Sequence, residues 1–206
     1  MSDLYSPAKE SNTSVSNQDL KGTIFNNAQG NFQDIDYLII TPRSLNAQAE
    51  KLANFHRSYS GLNTKVVNLD LIYQEFGGGK QDIGAIRNFI KYVYQNASSS
   101  AAKVRYVNLF GDASFDFKDR IPNNTNVVPI YHCVNSYTET SSSFSSDDFF
   151  VMMDANEGNL DSNYEEPDIA VGRMLISSVK IAEEQISKIE QYLRKGMYSD
   201  TVNCCG

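Results

Sequence analysis

Two rhythms of apolar and polar positions alternate along the chain. Short unbroken apolar runs read as strands, and apolar residues spaced three and four apart read as helices. The first run is "DYLIIT", Asp36 to Thr41, whose continuous apolarity predicts a strand buried on both faces. Leu45, Ala49, Leu52, Ala53 and His56 then recur at helical spacing, and Gly61 supplies a stop. "TKVVNLD", residues 64 to 70, predicts a second strand through Val66, Val67 and Leu69. Gly77–Gly79 form the entry loop of the next helix, with Asp82 as its N-cap and Ile83, Ile86, Phe89, Ile90 and Val93 along one face. "VRYVNLFGD" predicts a third strand, "NVVPIY" a fourth and "PDIAVGRM" a short, buried fifth. Ile181, Ile186, Ile189 and Leu193 face inward on a final helix whose Lys and Arg residues gather at its C-terminal end, where they suit the helix dipole.

The order β-α-β-α-β…β-α predicts an α/β fold: a mostly parallel sheet flanked by helices in three layers, with right-handed crossovers. Ligands of such sheets gather beyond the carboxyl ends of the strands. That edge should carry "NLFGDASFDF", residues 108 to 117, with Asp112, Ser114 and Asp116. Residues 1–34 are rich in Ser, Asn and Gln, and read as a flexible lead-in with edge strands near Thr23–Phe25. The polar stretch from Tyr137 to Glu166, interrupted by the apolar patch Phe149–Met153, reads as a hairpin or mobile loop on the same side of the sheet. Phe115 and Phe117 are expected to pack their loop down.

Composition narrows the partners. A chain of 206 residues suits one domain and can bury roughly 70% of its unfolded surface without disulfide or metal. A net charge of −7 with no basic stripe argues against nucleic acid. No apolar run is long enough to span a bilayer, and the N-terminus does not read as a signal peptide. Cys133, Cys204 and Cys205 are an odd, uneven set and no disulfide framework.

Nucleophilic chemistry finds little support in the motifs. "GGGK", residues 77 to 80, lacks the phosphate-loop spacing because Gln81 follows Lys80, so it reads as a flexible loop. "GDASF" departs from the G-x-S-x-G elbow, which argues against Ser114 as a nucleophile. His132 and Cys133 are neighbours in extended chain and point to opposite faces, so they do not read as a dyad. His56 lies among apolar neighbours and reads as packed. Two histidines and three cysteines lack the spacing of a zinc site. Carboxylates are the remaining signal: Asp112, Asp116 and Asp119 after the third strand, and a series from Asp147 to Asp168. "DANEGNLD", residues 154 to 161, partly fits a calcium loop but has no flanking helix pair; solvated acidic loops are the plainer reading.

Taken in order, "DYLIIT", "AEKLANFHRSYSGLNTKVV", "IGAIRNFIKYVY", "VRYVNLFGDASFDF", "SSDDFF" and "PDIAVGRM" resemble the first half of the catalytic domain of gingipain-type cysteine peptidases. The resemblance runs from about Asp36 to about Lys195 and is strongest to the sortase-like members of the Bacteroidetes type IX secretion system. It implies a caspase-like subdomain over residues 35–196, followed by a tail over 197–206 that reads as truncated. It implies proteolysis, with an exported or cell-surface parent. The family's catalytic His and Cys sit in the second half, and neither motif occurs here, so no catalytic residue is carried over and the chain alone is expected to be inactive. Its implied partners are the C-terminal catalytic half of the same parent and, in the intact enzyme, polypeptide substrates. The resemblance also implies calcium, with Asp112 and Asp168 as ligands and Asp154, Asp161 and Glu166 as further candidates. The alternative is a non-enzymatic flavodoxin-like binding module, although the acidic pair expected after its first strand is missing from "DYLIITPRS".

Overall fold

The structure is a computed structural model that describes residues 19–133, 143–158, 160 and 166–195. Its elements are α1 (Leu20–Thr23), β1 (Tyr37–Thr41), α2 (Asn46–Tyr59), β2 (Thr64–Asn68), α3 (Leu69–Phe76), α4 (Ile83–Gln95), β3 (Tyr106–Phe110), β4 (Tyr131–His132), β5 (Ser145–Ser146), β6 (Ala170–Met174) and α5 (Val179–Arg194). Strands β2-β1-β3-β6 form one parallel sheet in that order. The α/β reading therefore holds.

Side-chain alternation along each strand sorts the core into two layers. Leu38, Ile40, Val67, Val107 and Leu109 face α3 and α4, where Ile72, Ile86, Phe89, Ile90 and Val93 meet them. Ile39 and Phe110 face the other way, against Leu45, Leu52 and Ala53 near or on α2 and Ala182 and Ile186 of α5. A strand covered on both faces has no polar side, which is why β1 reads as an unbroken apolar run. Asp82 caps α4 by accepting from Gly84 N at 2.8 Å, as its position predicts.

Four elements depart from the sequence expectation. Residues 69–76 are a helix, whereas the sequence pattern predicts a second strand that runs on through Leu69: Leu69, Ile72 and Phe76 sit on one face, and Leu69 and Ile72 are buried. Residues 20–25 are a helical turn, not an edge strand. Leu20, Ile24 and Phe25 are buried in the α3/α4 layer, and Leu20 N and Lys21 N donate to the Glu75 carboxylate. "NVVPIY" adds no strand to the main sheet. Val127 N and Val128 N both donate to Asp112 O, and Pro129 has no N–H to offer a ladder; only Tyr131–His132 pairs, antiparallel, with Ser145–Ser146. Phe150–Met153 is buried core that follows a 3-10 turn at Asp148–Phe150, not part of a mobile loop. The rest of the 137–166 stretch lies partly outside the described residues.

Candidate functional site

Beyond the carboxyl ends of the strands, one side chain ties four segments together. Arg173 is the fourth residue of β6, with its side chain only 7% exposed. Its guanidinium donates to Gly111 O (2.9 Å), Val128 O (2.7 Å), Pro129 O (3.1 Å) and both Asp147 oxygens (2.9 and 2.7 Å). These contacts employ all five N–H donors that an arginine owns. A buried charge survives only when it is paired and its hydrogen bonds are met, and here both conditions hold. Gly111 is the close-approach point: a Cβ there would stand 2.6 Å from Val128 and 2.7 Å from Val127.

The next ten residues wind around Asp116, which is 8% exposed. Its carboxylate accepts from Arg120 N (2.6 Å) and Ile121 N (2.7 Å), and its carbonyl accepts from Asn124 Nδ2 (2.7 Å). Ser114 Oγ accepts from Asp116 N at 3.1 Å, a turn contact that gives this hydroxyl a structural role. Phe115 (73% exposed), Phe117 (57%) and Ile121 (48%) point outward. The expectation that the two phenylalanines pack the loop down is therefore corrected. A buried aspartate holds the loop, and it leaves the aromatic rings on the surface.

His132 and Cys133 do not meet. His132 Nδ1 lies 2.9 Å from Ser145 Oγ, while the buried Cys133 sulfur accepts from Phe144 N at 3.4 Å. His56 sits at the other edge, with Nδ1 3.2 Å from Ser60 Oγ and its ring edge-on to Tyr37. Burial there lowers its pKa. Tyr37, His56, Tyr106, Asn108 and Gly172 line a cavity of about 560 Å³ on the α2/α5 face. Asn108 Nδ2 donates to Tyr37 OH at 2.8 Å, and desolvation raises the pKa of that phenol despite the bond. Cys204 and Cys205 lie outside the described residues.

The residues expected to bind calcium do not converge. β3 and β6 run parallel with Tyr106 opposite Ala170 and Phe110 opposite Met174. In that register Asp168 is level with Val104, and Asp112 is eight residues farther along, or roughly 26 Å of extended chain. Ligands of one calcium ion lie 2.3–2.6 Å from it. Asp112 and Asp168 therefore cannot share an ion. Each has a partner of its own: Asp112 Oδ1 accepts from Ala113 N (2.9 Å), and Asp168 Oδ2 accepts from Met153 N (2.7 Å). Among the described residues no three His, Cys, Asp or Glu side chains are grouped to hold a metal. Asp161 lies outside them.

The profile of peptidase family C25 matches residues 31–206. The chain belongs to the gingipain family. Among solved structures it is similar to dimeric latent PorU from Porphyromonas gingivalis, with 25% identity and a TM-score of 0.65. That match covers 77% of this chain and 15% of PorU. It is also matched to the complex of pro- and mature domains of RgpB from the same organism, with 19% identity, a TM-score of 0.47, and coverage of 76% and 28%. No curated protein matches the sequence. The chain thus spans a small part of the gingipain-family proteins it resembles. No helix among its described residues is long and apolar enough to cross a membrane.

Sequence reading missed Arg173 and Asp147 as a pair, although one signal was present. An arginine inside the short apolar stretch "IAVGRM" has to find a partner if that stretch is buried.

Proposed function

We propose that this chain is the N-terminal half of the catalytic domain of an exported, gingipain-like cysteine endopeptidase that processes secreted proteins. In the intact enzyme a histidine-activated thiolate of the second half attacks a peptide carbonyl and forms an acyl-enzyme. This half supplies the rigid sheet and the ordered loops at its carboxyl edge, and by itself it is inactive. The observation that carries the reading is the family match across residues 31–206 of a chain that covers only 15% of PorU. The sheet supports it too. β6 ends the strand order, and its outer side has no strand partner among the described residues. Beside it, Met174, Leu175, Gln185, Lys188 and Ile189 line a shallow groove of about 400 Å³ next to α5. An unpaired strand edge with exposed Leu175 and Val179 beside it suits the downstream half of the same parent as its cover.

The test compares the 206-residue chain with the intact parent on peptide substrates in the presence of reductant. Thiol-dependent turnover by the parent and none by the chain is the expected result. Turnover by the chain alone would refute the division of labour, and an inactive parent would refute the peptidase reading.

A further inference from the structure

The loop that follows the buried patch at 150–153 carries the sequence "MDANEG", residues 153 to 158, which overlaps the partial calcium-loop match at residues 154 to 161. Three carbonyl oxygens of residues 152–158, those of Met152, Asp154 and Glu157, already accept from side chains of α4. Arg87, one turn into α4, donates from Nε to Met152 O (3.1 Å) and from one terminal nitrogen to both Met152 O (2.8 Å) and Glu157 O (2.7 Å). Lys91, one helical turn farther on the same face, reaches Asp154 O at 3.3 Å. The guanidinium also lies 5.3 Å from the centre of the Phe149 ring. Gly158 closes over it with φ +106, and a Cβ at that position would stand 2.7 Å from the guanidinium carbon. On the far side Asp168 accepts from Met153 N, and Tyr94 OH lies 3.5 Å from its other oxygen.

We infer that residues 152–158 are folded around a built-in organic cation, the Arg87 guanidinium, and that this loop takes no calcium. Calcium needs six to eight oxygens at 2.3–2.6 Å, offered from all sides. Two carbonyl oxygens of this loop converge, but they converge on N–H donors of a delocalised positive charge, whose planar shape fits two directed hydrogen bonds better than a spherical shell. A divalent ion could use those oxygens only after Arg87 had left, and Lys91 adds repulsion from the same helix face. Asp168, expected as a calcium ligand, serves instead to anchor the loop through Met153 N. The inference rests on these contacts alone and does not depend on the peptidase reading.

The experiment is thermal unfolding of the 206-residue chain in EGTA and in excess calcium chloride, for the wild type, Arg87→Met and Asp154→Asn/Glu157→Gln. The wild type should melt at the same temperature in both buffers, and Arg87→Met should melt several degrees lower in both. An unchanged melting temperature in Arg87→Met would overturn the inference. So would a calcium-induced rise in the wild type that disappears in Asp154→Asn/Glu157→Gln. A rise that persists in that double variant places the metal elsewhere and upholds the assignment of this loop to Arg87. Should Arg87→Met fail to fold, hydrogen exchange at the amides of residues 154–158 of the wild type decides: calcium-independent exchange supports the inference, and calcium-induced protection overturns it.

Discussion

The two edges of the sheet are held by different physics. At the carboxyl edge, Arg173 and Asp116 place charges in the interior and bond them to backbone groups, Arg173 to carbonyls from segments distant in sequence and Asp116 to the N–H groups four and five residues farther on. At the amino edge, the α2/α5 face is closed by uncharged aromatic contacts among Tyr37, His56 and Tyr106, and by one amide–phenol bond from Asn108. The ion pairs described near that edge, Arg105 with Asp36 and Arg57 with Glu50, are partly open to solvent. Hydrophobic contact is non-directional and tolerates adjustment, whereas a saturated guanidinium fixes each carbonyl it touches. The edge that carries function in parallel sheets is therefore also the one whose loops are fixed by direction-specific bonds.

The comparison breaks most sharply at Arg173. Arg173→Met should destabilise the chain by about 3 kcal/mol or more in urea unfolding, because it strands the Asp147 carboxylate and three carbonyls away from water. A loss below about 1 kcal/mol, the range of a surface pair, would remove the distinction between the edges. Tyr37→Phe probes the other edge. It leaves the Asn108 amide without its phenol partner and should cost about 1–2 kcal/mol, less than the Arg173 variant. Equal losses in the two variants would show that both edges rely on buried polar groups alike.

A pH titration sharpens the amino edge further. Burial lowers the His56 pKa, so the unfolded chain binds a proton more readily than the folded one. Stability should be fully present above the unfolded value near 6.5 and should decline as pH falls from there toward the folded value. His56→Gln should flatten that part of the urea-midpoint profile; an unaltered slope would assign it to other groups. The smallest effect is expected from Phe115→Ser and Phe117→Ser. Both rings are exposed, so each change should stay within about 0.5 kcal/mol in the same assay. A loss above 2 kcal/mol would restore the view that they pack the loop.

Strands β1, β2, β3 and β6 and helices α2, α4 and α5 were legible because their apolar periods are long and unambiguous. Helix α3 was not, although Leu69, Ile72 and Phe76 carry the helical spacing. It begins directly after β2, and no Gly, Pro or loop separates the two periods. The "NVVPIY" segment has the apolar composition of a strand, but composition says nothing about which backbone groups remain free to pair, and Asp112 O takes the N–H groups of both valines. At the site, the position of Asp112 beyond β3 followed from the strand pattern. Its separation from Asp168 did not, since two acidic residues near the same strands look alike in sequence until the parallel register sets them at opposite edges.

By itself, then, the sequence determined the layered α/β fold, the capped helices and the family, because periodicity and local capping are properties of neighbouring residues. Tertiary structure alone decided which charges are partners. Arg173 meets Asp147 and the Gly111 carbonyl across 26 and 62 residues, and Arg87 meets Met152 and Glu157 across 65 and 70. A buried charge announces that it needs a partner, but the identity of that partner depends on how the sheet and its loops close in space.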